Sequence, residues 1–299
     1  MKLSTLFGFS AVLFLIGPSL ASAAVSDAAA TEGPRTCALR LSGAAINKSD
    51  YNTIGQGFCS GTLVGPSTLI TAAHCLDDIT GGSFGDLHKN KSRSFFASFN
   101  DIEKSNPVRS LKSDTAVFYT SGMESQRARS KFAQKGDLTL VNEDLAVVHL
   151  EKPYPGYDPS TCPRLPTAND CKDLNSTLGS ASATSRLSAS FFKSLKMNNG
   201  NGPLQKAEFA PLPRLMVSDA VTLSVDSKNG HLVSSFKSQG AEVHLRKGDS
   251  GSALLFKSAS GPVVVGIQSA VFQSNDTNAL FAQVCSKIES PRWTSVVGK

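Results

Sequence analysis

Residues 58–75 read Phe58-Cys59-Ser60-Gly61-Thr62-Leu63-Val64-Gly65-Pro66-Ser67-Thr68-Leu69-Ile70-Thr71-Ala72-Ala73-His74-Cys75. Two short apolar runs, Gly61–Val64 and Thr68–Thr71, are separated by turn residues. That pattern predicts strands of a barrel or sandwich. The second run leads to a histidine flanked by a cysteine. Imidazole titrates near neutrality, so His74 is a candidate proton acceptor. Taken alone, a histidine after two alanines is more often a packed core residue, and only its surroundings can raise it above that.

The same run-and-turn pattern continues outward, in Leu145–Leu150 and Pro262–Ile267. Long regular helices are scarce and the chain holds 24 glycines, so the balance leans all-β. With 299 residues, 40% hydrophobic and 18% charged, the chain matches an ordinary globular protein with room for two modest barrels or one large core. Prolines 153, 155, 159, 163 and 166 crowd Lys152–Asp170. Proline cannot donate to a central ladder, so this stretch predicts a surface linker. A second loop tract is expected at Met197–Pro203, and a short helix over Cys285–Val297, interrupted by Pro291.

The N-terminus carries a basic Lys2, an apolar Leu6–Ile16, a Gly17-Pro18 break and Ala21-Ser22-Ala23. This is the layout of a cleaved secretory signal over residues 1–23, followed by a leader or propeptide over 24–36. The apolar run is short for a membrane span and lacks a basic stop-transfer flank, so no stable membrane insertion is expected. The net charge of +6 becomes 6 − 1 = +5 once Lys2 is removed. The basic residues are scattered (Lys89, Lys91 and Arg93, then Arg127, Arg129 and Lys131), which argues against nucleic-acid binding. Six cysteines in an exported chain predict disulfides, with about 15 complete pairings open. None has the Cys-x-x-Cys spacing of a zinc site, so no metal is expected.

Two more motifs complete the pattern: Glu143-Asp144-Leu145-Ala146-Val147-Val148 and Lys247-Gly248-Asp249-Ser250-Gly251-Ser252-Ala253. Singly, such an aspartate is more often a strand-edge carboxylate and such a serine a turn residue. Together, in the order His, Asp, Ser, the motifs resemble the chymotrypsin-like (trypsin-like) serine peptidases, including secreted bacterial members. Subtilisins run Asp, His, Ser, and α/β-hydrolases run Ser, Asp, His around a Gly-x-Ser-x-Gly elbow, where this chain has Ser252.

The resemblance implies two packed antiparallel six-stranded β-barrels with a short C-terminal helix. Residues 37–155 would form the first barrel, and 156–299 the linker and second. It implies a catalytic triad of His74, Asp144 and Ser250, with the backbone amides of Gly248 and Ser250 as oxyanion hole. Asp114 is a fair competitor for the aspartate, but Asp144 leads into Leu145–Leu150 as the family's aspartate does. The implied disulfides are Cys59–Cys75 and Cys171–Cys285, which would leave Cys37 to pair with Cys162. The implied substrate pocket is lined by His244, Ser269, Ala270 and Val271. The activity implied is peptide-bond hydrolysis through an acyl-enzyme, by a secreted monomer acting on proteins or peptides without any cofactor. The alternatives are an inactive homologue acting as a binding module, or an esterase on the same triad.

The chain also departs from the family's pattern. No Ile-Val-Gly-Gly stretch lies between Ala24 and Cys59, so the partner of Asp249 is either a new N-terminus, generated near Arg35, or an internal basic side chain. His244 at the expected pocket base disfavours cleavage after Lys or Arg, and Val271 should narrow the entrance. Gly251-Ser252-Ala253 replaces the commoner Gly-Gly-Pro.

Overall fold

A computed structural model describes residues 37–45, 54–80, 93–98, 108–109, 117–119, 138–150, 153–154, 157–178, 180, 184–192, 215–238, 241–243, 245, 249–272, 275–291 and 293. The proposed signal, the leader, the Met197–Pro203 tract, His244 and Gly248 lie outside the described residues, as do Asp114 and most of the run between His74 and Asp144.

The architecture is all-β, in two sheets. The first is built from β1 (Ala38–Ala45), β2 (Ile54–Gly65), β3 (Thr68–Thr71), β4 (Arg93–Ser98), β5 (Val108–Arg109), β6 (Val117–Tyr119) and β7 (Ala146–His149), in the order β5-β4-β1-β2-β3-β7-β6. The second is built from β8 (Leu187–Phe192), β9 (Leu215–Val225), β10 (Leu232–Ser238), β11 (Ala241–Glu242), β12 (Ala253–Ser258), β13 (Gly261–Phe272) and β14 (Asn275–Gln283). Its order is β11-β10-β14-β13-β12-β8-β9, and β9 pairs back onto β10. Those pairings close six strands into a barrel, with β11 as an added edge. Among the described residues the end strands of the first sheet, β5 and β6, are not paired with each other. All described strand pairings within the sheets are antiparallel. Helix α1 (Ala73–Thr80) comes between β3 and β4, and α2 (Ala168–Thr177) between β7 and β8.

The opening stretch behaves as its pattern predicts. β2 and β3 form a hairpin across Pro66–Ser67, with Thr62 opposite Ile70 and Leu63 opposite Leu69. The paired chain then continues through β7, where Ile70 faces Val147. Gly61 is required by packing, because a Cβ there would stand 2.9 Å from a Leu69 methyl and 3.1 Å from a Leu41 methyl.

The interior divides unevenly. One cluster fills the second barrel, where Phe191 and Phe281 each meet Phe236 edge-on at centroid distances of 5.2 and 5.9 Å. The other runs from Leu39, Leu63, Ile70 and Val147 of the first sheet to Leu255, Ile267 and Leu280 of the second, and to Val284 just after it. Each such buried aliphatic side chain contributes about 1.5–3 kcal/mol. The seam between the sheets is therefore core rather than a wet interface, and groups placed along it are held from both sides.

Three disulfides are present: Cys59–Cys75 and Cys171–Cys285, the pairings the family resemblance implied, and Cys37–Cys162, the pairing those two would leave. Cys37–Cys162 ties the start of β1 to the linker, and Cys171–Cys285 ties α2 to the segment after β14. The described residues of the linker up to Pro166 hold turns and a single isolated bridge, from Arg164 to Val263, and no regular strand or helix, as the prolines predict. Helix α2, which begins two residues later, was not expected from that composition. Thr167 caps it by accepting the Asp170 amide, while Asp170 reaches back to the Thr167 amide, a reciprocal capping box. Pro291, expected to interrupt a helix, has helical backbone together with Trp293. A proline's fixed φ and missing N–H suit a first helical turn.

Candidate active site

His74 does not sit on a strand. It is the second residue of α1, which starts directly after β3 and Ala72. Ala72 and Ala73 are fully buried, and their small side chains let the helix begin flush against the sheet. The Cys59–Cys75 disulfide, with Cα atoms 5.8 Å apart, fastens that first turn to β2.

Asp144 follows a 3-10 helix (Leu138–Glu143) and precedes β7. It has no exposed surface. A buried carboxylate is costly unless its lone pairs are engaged, and here three donors converge on it. The His74 amide donates to Oδ1 at 2.9 Å, the His74 ring approaches Oδ2 through Nδ1 at 2.6 Å, and the Ser269 hydroxyl donates to Oδ2 at 2.6 Å. Because a carboxylate only accepts, Nδ1 carries the ring proton, which makes Nε2 the basic nitrogen.

Ser269 reaches Asp144 because the β13–β14 ladder slips there. Gln268 faces Phe281 and Ala270 faces Leu280, so Ser269 has no partner of its own. Such a bulge re-aims one side chain against the alternation of the strand. Read from sequence as part of the pocket strand, Ser269 proves to turn its hydroxyl onto the buried carboxylate. Strand alternation could not have shown this, since a bulge breaks the period on which it depends. Ala270 and Val271 are half-buried along the same strand, packed against the seam cluster and the barrel cluster respectively.

Ser250 lies on a turn between β11 and β12, and that turn is fixed through its backbone. The Ser60 amide donates to the Ser250 carbonyl at 2.6 Å, the Gly251 amide to the Gln268 carbonyl at 2.7 Å, and the Ser252 amide to the Asp249 carbonyl at 3.0 Å. Gly251 has φ +88°, and a Cβ there would overlap the Ser60 carbonyl oxygen and press on the Thr71 hydroxyl. Only glycine fits. Thr71 in turn donates to that same Ser60 carbonyl at 2.7 Å. The serine turn, the end of β3 that leads to His74, and the half-cystine strand β2 thus meet at Ser60. Asp249 is buried beside the turn, at 4% exposure.

Cys59, His74 and Cys75 place their ligand-type atoms within 4.8 Å of one another. Both sulfurs are spent in the disulfide, so the thiolates that a metal would require are not available.

The structure therefore brings His74, Asp144 and Ser269 into direct contact, and anchors the Ser250 turn to the strand that precedes them. Two antiparallel β-sheets, the second closed into a six-stranded barrel, with a buried Asp–His pair at their seam, fit the chymotrypsin-like class. A trypsin family model matches residues 28–290, and the chain belongs to this family of serine proteases. No curated protein matches the sequence. Among solved structures, the chain is similar to a scabies mite inactivated protease paralogue, at 16% identity and a TM-score of 0.47, over 85% of this chain and 89% of that one. No helix among the described residues is long and apolar enough to cross a membrane.

Proposed function

We propose that this chain is an active, secreted serine endopeptidase with His74, Asp144 and Ser250 as its triad. The observation that carries the reading is the donor set on Asp144, which fixes the His74 ring and its tautomer at once. A structural carboxylate has no need of an imidazole. An aspartate that must orient a base and stabilise it once charged has that need.

In this reading Ser250 Oγ attacks the peptide carbonyl while His74 Nε2 takes its proton, and Asp144 stabilises the resulting imidazolium. The tetrahedral oxyanion accepts from the amides of Gly248 and Ser250, each donor contributing on the order of 3 kcal/mol. His74 then gives its proton to the leaving amine, the acyl-Ser250 ester forms, and water resolves it by the same steps reversed. The pocket is assigned to His244, Ser269, Ala270 and Val271, with small or acidic side chains preferred over Lys and Arg. Secretion rests on the N-terminal signal layout and agrees with the three disulfides, which persist outside reducing compartments.

The test compares hydrolysis of a peptide library and matched esters by the signal-free protein and by Ser250→Ala. Cleavage of both substrate types, lost in the variant, supports the peptidase. Ester turnover alone would make the protein an esterase, and binding without turnover would make it an inactive homologue.

A further inference from the structure

Asn142, Glu143 and Asp144 form the end of the 3-10 helix and the residue after it, in the first half of the chain. All three bind across the seam to the second. Asn142 Oδ1 accepts the backbone amide of Gln283 at 2.8 Å, at the last residue of β14. Glu143 Oε1 meets Lys287 Nζ at 2.5 Å, with the two side chains 28% and 14% exposed. Asp144 receives Ser269 of β13. The β9–β10 turn lies beside Asn142, since a Cβ added to Gly230 would stand 3.5 Å from Asn142 Nδ2.

Two of these contacts have no part in the hydrolytic chemistry. Asn142 binds Gln283 and Glu143 binds Lys287, on the strand end and the turns after it. Yet they hold the peptide units directly before Asp144. A carboxylate that must meet Nδ1 at 2.6 Å has little tolerance for movement of its backbone. Local backbone bonds from the Asp144 amide to the Val141 carbonyl at 3.1 Å and from the Leu145 amide to the Glu143 carbonyl at 3.0 Å shape this turn, and the contacts of Asn142 and Glu143 tie it to the second barrel before β7 begins at Ala146.

We infer that Asn142 and the Glu143–Lys287 pair are positioning residues, a latch through which the segment 283–287 of the second barrel sets the register of Asp144 against His74. The inference rests on the triad assigned above. Barrel docking thereby becomes a condition for an ordered Asp–His pair: loosening the C-terminal segment lets Asp144 drift while the first sheet stays folded. The effect falls on turnover rather than on substrate binding, because the pocket strand is not part of the latch.

The experiment uses the full mature chain and four variants: Asn142→Ala, Asn142→Asp (which keeps the acceptor), Lys287→Met, and the exchanged pair Glu143→Lys with Lys287→Glu. Each is assayed for kcat and KM on an ester substrate, and for the low-field proton resonance of a short Nδ1–H···O bond. Asn142→Ala should lower kcat about ten-fold with KM within about two-fold, the scale expected from sub-ångström misplacement of a catalytic group. Its low-field resonance should broaden or vanish. Lys287→Met should lower kcat about three-fold and the exchanged pair should recover most of it, as a partly exposed ion pair allows. Asn142→Asp should stay close to wild type.

Folded variants with unchanged kcat and an unchanged resonance would overturn the latch. So would an Asn142→Ala loss that Asn142→Asp shares in full. If Asn142→Ala fails to fold, the Lys287 variants decide alone. The resonance also separates the two readings: a wild type that turns over nothing but loses the resonance in the variants removes the peptidase and leaves the latch standing.

Discussion

Asp144 and Asp170 are both buried carboxylates that receive several donors, and they differ in the cation they face. Asp170 takes two guanidinium bonds from Arg164, at 2.7 and 2.9 Å, together with the amide and hydroxyl of Thr167. Arg164 goes on to Ser258 and Ser260 at the β12–β13 turn, so the pair fastens the linker and α2 to the second barrel. Asp144 instead faces an imidazole, an amide and a hydroxyl. Arginine is charged at every accessible pH, so Asp170 is neutralised permanently. The Arg164 guanidinium, with the Thr167 donors, holds its carboxyl well below the usual carboxylate range. The partner of Asp144 becomes a cation only when it accepts a proton. A carboxylate with a fixed counter-ion serves the fold, and one with a conditional counter-ion can serve a proton transfer.

The largest expected effect breaks the conditional member. Asp144→Asn should leave the fold intact and reduce kcat by about four orders of magnitude, the loss expected when a triad aspartate becomes an amide. Steady-state kinetics on an ester substrate read it. Gly251→Ala tests the turn that holds Ser250. With a Cβ overlapping the Ser60 carbonyl, it should abolish covalent labelling of Ser250 and destabilise the chain by about 3 kcal/mol or more in urea titration.

The fixed member should respond in the opposite sense. Asp170→Ala removes a helix cap and leaves Arg164 without its carboxylate, so it should cost about 2–3 kcal/mol of stability. The kcat of the folded fraction should remain within about two-fold. A large loss of kcat without loss of stability would erase the distinction drawn between the two aspartates.

These regions were not equally legible in the sequence. The β2–β3 hairpin could be read from its runs and turn residues, and the three catalytic motifs from their chain order. The Cys59–Cys75 pairing came with the family resemblance. What stayed hidden depended on contacts between distant segments. Arg164 and Asp170 looked like parts of a polar linker, although Thr167 followed three residues later by Asp170 was a readable helix start. Ser269 was placed on the right strand, but its hydroxyl's target depends on a bulge, which strand alternation cannot foresee. Asn142 stands outside every motif, and Glu143, which opens the aspartate motif, gave no sign of its partner across the seam.

A smaller test concerns pH. His231, at the β9–β10 turn, is 1% exposed, and neither ring nitrogen has a hydrogen-bond partner among the described residues. Burial pushes its pKa below the ordinary imidazole value, against a weaker opposing pull from Asp226. Above about pH 6.5 both folded and unfolded chains hold it neutral, and it has no effect on stability. As pH falls through that value the unfolded chain binds the proton first, so stability should decline until the folded value is reached. His231→Leu should flatten that part of the stability profile. The Asp170 contribution runs differently: it is fully present above about pH 4, where the unfolded carboxyl titrates, and is lost below it. Urea titrations at about pH 7.5, 5.5 and 3 would separate the two, since these lie about one unit or more to either side of the unfolded-state values.

The central claim is that Ser250 is an activated nucleophile. The direct measurement is intact-mass spectrometry of the signal-free protein after treatment with a fluorophosphonate probe, beside Ser250→Ala and Asp144→Asn. One adduct is expected on the wild type, none on Ser250→Ala, and strongly slowed labelling of Asp144→Asn. A folded wild type that remains unlabelled, even after limited proteolysis to release a new N-terminus, would contradict the claim.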